Sequence, residues 1–187
     1  MSFFQKTLIW ILPVTLMAGA CKHDEQNVAP TDDNEAITTA SLSFTNTAAP
    51  REIVTATIEN LNTQADLSQA TINLKANTTY TGGIVLLDKT KTPVLVVTDE
   101  IREKANEHLL VYTFTPATGS PASLTVTATD LDTNPTPLPV GLTTRAQTGM
   151  AGSGKLNVVL RHQPNVKNGL PAPGSDDLNI NFPVVIR

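Results

Sequence analysis

The chain has one cysteine, one tryptophan and 4% aromatic residues among 187, and 13 lysines and arginines against 17 aspartates and glutamates. A lone cysteine, Cys21, excludes an internal disulfide framework, and a net charge of −4 argues against a basic nucleic-acid-binding face. Long apolar runs are also missing. The longest, Thr7 to Met17, is interrupted by Pro13 and Thr15 and falls short of the roughly 20 residues that a membrane-spanning helix needs. Enzyme signatures are scarce as well. Ser153 in Gly152-Ser153-Gly154 lacks the nucleophile-elbow spacing, and neither a complete phosphate-cradling motif nor a thiol pair occurs.

What is present begins at the N-terminus. Lys6 precedes the apolar run, and Ala18-Gly19-Ala20 is a small-residue cleavage site directly before Cys21, so residues 1–20 read as a signal peptide. The stretch resembles a bacterial lipobox, with Ala18 where Leu is preferred, and this implies acylation of Cys21 and a membrane reached through lipid. Residues 21–35 are polar and acidic, with Asp24, Glu25, Asp32 and Asp33, and read as a flexible tether. Lys22, Asp24 and Glu25 also resemble the charged export signals of Bacteroidota surface lipoproteins, although a plain solvated linker explains them equally well. Without Lys6 the chain keeps 12 basic residues against 17 acidic ones, a net charge of −5.

From Ile37 onward small polar and apolar residues alternate in short runs separated by Pro, Gly and Asn, which is the pattern of half-buried strands. The inward rows are Leu42 and Phe44; Val54, Ala56 and Ile58; Ile72 and Leu74; Leu110, Tyr112 and Phe114; Leu124, Val126 and Ala128; Leu138, Val140 and Leu142; Leu156, Val158 and Leu160; and Ile180, Phe182, Val184 and Ile186. Ile84 to Leu87 and Val94 to Val97 are apolar on both faces and read as central or doubly covered strands. About ten strands imply one domain over 36–187, an all-β, antiparallel, Greek-key or immunoglobulin-like sandwich. One short helical segment is expected at Thr98 to Glu107, capped by Thr98.

Two histidines continue inward rows at strand ends: His108 shares the parity of Leu110, and His162 that of Leu160. If the strands are antiparallel partners, both imidazoles reach one end of the domain. Glu100, Glu103 and Glu107 form a helical stripe leading there, so His108 and His162 with Glu103 or Glu107 make a candidate site for zinc or another divalent ion. The alternative is a pair of sandwich-end histidines bonded to backbone or to glutamate. Asp130, Asp132 and Asn134 have the alternation of a calcium turn, but Pro135 stands where an EF-hand needs Gly; an Asx-rich hairpin is the alternative.

Ala36-Ile37-Thr38-Thr39, Ala76-Asn77-Thr78-Thr79-Tyr80-Thr81-Gly82, Asp99-Glu100-Ile101 with Glu107-His108, Ala151-Gly152-Ser153-Gly154 and Leu160-Arg161-His162-Gln163-Pro164 together resemble a family of small uncharacterised Bacteroidota lipoproteins. Some of these carry the label of a type 1 periplasmic-binding fold. That label implies an α/β fold, whereas the strand pattern implies all-β. The expected role is a lipid-anchored binding or accessory module at the outer membrane, on its periplasmic face or the cell surface. It would serve metal or small-solute uptake with an outer-membrane receptor, or else be a structural or adhesive module without a small-molecule site.

Overall fold

Two stacked sheets carry the alternating rows. The computed structural model describes residues 36–187, so the signal peptide, Cys21 and the tether lie outside the described residues. The larger sheet contains β1 (Thr39–Asn46), β2 (Ile53–Glu59), β3 (Asp66–Gln69), β5 (Thr79–Asp88), β6 (Leu95–Val96), β8 (Leu124–Ala128) and β9 (Thr143–Thr148). Its order is β3-β2-β1-β5-β9-β8, with β6 beside the end of β5. Three consecutive strands with a later one returning beside the first is the Greek-key arrangement. The smaller sheet, ordered β4-β11-β10-β7, contains β4 (Ile72–Leu74), β7 (His108–Pro116), β10 (Gly152–His162) and β11 (Ser175–Ile186). All pairings are antiparallel except β4 with β11.

The inward rows meet in one core. Leu42, Ala56, Ile58 and Leu86 from the larger sheet and Leu156, Val158, Ile180 and Phe182 from the smaller are all at most 2% exposed. Few aromatics serve here, and they are placed centrally: Phe44 meets Tyr80 edge-on, with ring centroids 6.4 Å apart, and the Tyr80 hydroxyl accepts the Lys75 N–H at 2.8 Å.

One local expectation holds in its first alternative and three are corrected. Ile84 to Leu87 is central, since β5 lies between β1 and β9, but Val85 is exposed and the strand is covered on one face only. Val94 to Val97 is no central strand: Val94 is exposed, β6 is two residues long, and Val97 opens helix α1 (Val97–Glu103). Thr98 therefore lies inside the first turn rather than capping it. Its buried hydroxyl accepts the Leu86 N–H at 2.7 Å and so fastens α1 to β5. Leu138 to Leu142 forms no strand, because Val140 and Leu142 are buried from within a loop that has only a single bridge, Leu131 to Pro139.

Candidate functional site: the loop-rich end

The end of β5, helix α1, the start of β7 and the end of β10 share one end of the sandwich. Chain segments 129–142 and 163–174 join strands there. His108 and His162 are directly opposite each other in the β7–β10 register, as antiparallel neighbours at a common end must be. Their rings stack, with centroids 5.0 Å apart and planes 10° from parallel.

Each imidazole has a carboxylate nearby but not in hydrogen-bonding contact. His108 Nε2 lies 3.8 Å from Asp177 Oδ2, and His162 Nε2 lies 3.8 Å from Glu107 Oε2. His108 Nδ1 is 3.0 Å from the Lys104 carbonyl, which can only accept, so Nδ1 carries the proton. Burial pushes the His108 imidazole below its ordinary value, against the opposing pull of that hydrogen bond. Burial likewise pushes the Asp177 carboxyl up.

This arrangement is a stacked pair of sandwich-end histidines, one of them bonded to backbone, and does not fit zinc. A metal lies in the plane of each imidazole it binds, and two stacked, nearly parallel rings have no nearby point common to both planes. Among the described residues no group of three or more His, Cys, Asp and Glu side chains is placed to hold a metal ion. Glu103 is not drawn in. Helix α1 ends at that exposed residue and a 3₁₀ turn over Ala105–Glu107 follows, so the stripe from Glu100 to Glu107 is broken and only Glu107 reaches a histidine.

The calcium turn is corrected as well, since its carboxylates are already satisfied. Asp130 accepts the Gly141 and Leu142 N–H groups, both at 2.9 Å. Asp132 accepts the N–H groups of Leu138 and Asn134 and the Asn134 side-chain amide. Its remaining charge is met by Lys167 Nζ at 2.9 Å, with the lysine side chain 2% exposed and the aspartate 0%. An internal ammonium thus stands where a bound cation would. Burial raises the Asp132 carboxyl, but the backbone N–H groups and Lys167 outweigh it and hold the group below its ordinary value.

Lys167 also donates to the Ala105 carbonyl at 2.8 Å, so one side chain ties both long loops to the 3₁₀ turn. A second brace lies at the loop's root. Arg161 binds Asp176 and donates to the carbonyls of Ala172, Pro173 and Gly174. Gln163, fully buried, donates its side-chain amide to Leu170 and Pro173, and its own N–H to the Glu107 carbonyl at 2.6 Å. Gly174 permits this closure: its φ is +79°, and a Cβ there would stand 1.9 Å from the His162 carbonyl oxygen. On this braced unit Leu131, Val166 and Leu170 remain 51–61% exposed.

The sequence reading missed Arg161, Gln163, Lys167 and Asp177. Asp177 could not be found by parity, because the β10–β11 register shifts at Leu160/Arg161, leaving Asp177 as the unpaired extra residue that turns inward. Pro173-Gly174 before a strand was an available signal for a tight return. The chain matches no protein-family model, no curated protein and no solved structure.

Proposed function

We propose that this protein is a lipid-anchored envelope module, held at the outer membrane through Cys21, that binds a protein partner such as an outer-membrane receptor with its loop-rich end. One observation carries the reading: two long loops are cross-braced by a fully buried ion pair while presenting apolar side chains to solvent. A buried ion pair adds little net stability relative to an apolar pair of the same shape, so its evident product is geometry. Loops held rigidly on a scaffold are the usual carriers of binding, and prior ordering lowers the entropic cost of association. The lipobox resemblance supports the anchor, and the stacked rings of His108 and His162 do not suit zinc.

The test is in-cell photo-crosslinking from position 131, with position 53 as control. Ile53 is equally exposed, at 67%, and lies at the opposite end, at the start of β2. One discrete crosslinked partner from 131 and none from 53 is the expected result. The same adducts from both positions, or none from 131, would reject the loop end as a binding face.

A further inference from the structure

The outward face of the larger sheet is rich in hydroxyl side chains, and on it lies an open groove of about 700 Å³ lined chiefly by Thr47, Thr79, Thr81, Thr129, Thr143 and Arg145, with Gly82 also lining it. That volume is in the ordinary range for small-ligand sites. Arg145 lies cross-strand from Thr81 on β5 and Thr127 on β8. No acidic residue lines the groove, and among the described residues no hydrogen bond or ion pair engages the Arg145 guanidinium, in a chain whose net charge is negative.

The strand beside the groove supplies a second observation. Strand β5 carries two adjacent glycines, and packing explains only one. At Gly82, facing the core, a Cβ would stand 2.5 Å from Thr144 Oγ1 and 3.1 Å from the Phe44 ring. At Gly83, facing outward, the nearest atoms would be 3.5 and 3.9 Å away, which is ordinary contact. Glycine in a strand interior is unfavourable, and where sterics do not require it the space left above it needs another reason. Gly83 pairs with Ser43 on one side and with Thr143, a wall of the groove, on the other. Gly83 is not itself a lining residue but borders the groove through Thr143, so a branched side chain there would crowd the groove from its edge.

We propose that this groove is a binding site for a hydroxylated carboxylate, a uronic-acid unit of a saccharide, with Arg145 taking the carboxylate and the threonine hydroxyls the sugar hydroxyls. A guanidinium presents a planar fork of donors that matches a carboxylate, and threonine hydroxyls both donate and accept. The site meets the loop end only at Thr129, the root of the 129–142 segment, and does not depend on what the loop tips bind.

The test is isothermal titration of the full-length protein in detergent with digalacturonate, alongside digalactose as the neutral sugar and glutarate as the carboxylate without hydroxyls. Saturable binding of digalacturonate, at least tenfold tighter than either control, is expected. Arg145→Gln should weaken it at least tenfold. Gly83→Val should do the same while melting no lower than the parent, since its Cβ meets only ordinary contacts at 3.5 Å or more, and this separates blocked binding from damaged folding. No saturable binding, equal binding of either control, or wild-type binding by both variants would overturn the assignment.

Discussion

Lys167→Met removes the buried ammonium and leaves the Asp132 carboxylate in place with its neutral donors, from Leu138, Asn134 and the Asn134 amide. Breaking one side of a buried ion pair costs about 3–5 kcal/mol, because the stranded charge loses its partner without regaining water. With both side chains at 2% exposure or less there is little solvent to screen the loss, so that range applies. At roughly 2–4 °C per kcal/mol for a domain of this size, the melting temperature should fall by about 6–20 °C. Denaturant titration followed by far-ultraviolet circular dichroism measures the loss. Asp132→Asn keeps an oxygen for the backbone donors while removing the charge, so Asp132→Asn with Lys167→Met should be clearly less destabilised than the two single losses added together. Because Lys167 also holds the Ala105 carbonyl, the single variant should be cleaved first within 163–174 in limited proteolysis. A loss below about 1 kcal/mol for Lys167→Met, or strict additivity in the cycle, would refute the claim that this pair clamps the loops.

Phe182→Ala empties a fully buried site at the centre of β11 and should cost about 3–5 kcal/mol by the same titration; a loss under 1 kcal/mol would mean the two sheets do not pack through it. His108 is held below its ordinary value of 6.5, so below that pH the unfolded chain binds more protons than the folded one, and stability should decline from pH 7.5 to 5.5. His108→Gln should flatten that decline, and identical slopes for parent and variant would count against it. Asp177, raised by burial, acts in the opposite sense, gaining stability as pH falls through its folded value, so Asp177→Asn should steepen the net acid loss. Cys21→Ala should remove the acyl mass from the N-terminal peptide and release the protein from the membrane fraction; an unmodified, soluble wild-type chain would end the anchoring reading.

The sheets were legible because burial on one face imposes a period of two, which the core rows follow except at the start of β7, where Leu109 is buried beside Leu110, and at the β10–β11 bulge. Where the covering element is not a sheet, the period misleads. Val94 to Val97 looks like a strand because it is apolar, yet its last residue is buried by becoming the first turn of α1. Leu138, Val140 and Leu142 alternate like a strand, but Asp130 binds the backbone N–H groups of Gly141 and Leu142, holding that stretch as a loop. The meeting of His108 and His162 followed from parity and antiparallel pairing. Their stacking did not, because ring orientation depends on the Lys104 carbonyl, contributed by a turn that ends the helix early. Lys167 gave no signal at all. A lysine in a polar loop reads as solvated, and only the folded path of 163–174 puts its ammonium against Asp132.

The point at which the chain enters the domain bears on which surface meets which partner. Thr38 N–H donates to the Leu87 carbonyl, and its hydroxyl accepts the Lys89 N–H, so the first described residues lie against the end of β5, beside α1 and at the loop-rich end. Cys21 to Glu35 is 15 residues, which can span at most about 50 Å. In the proposed anchored state Leu131, Val166 and Leu170 thus lie on the end tied to the bilayer, within reach of a membrane-embedded partner. The Arg145 groove starts at the root of the 129–142 loop, at Thr129 and Thr143, and runs toward Thr79 and Thr47, away from the loop tips. A protein partner docked on the loops would leave the groove open to solutes. The two proposed sites can be occupied together, and mutations at one should leave the other intact.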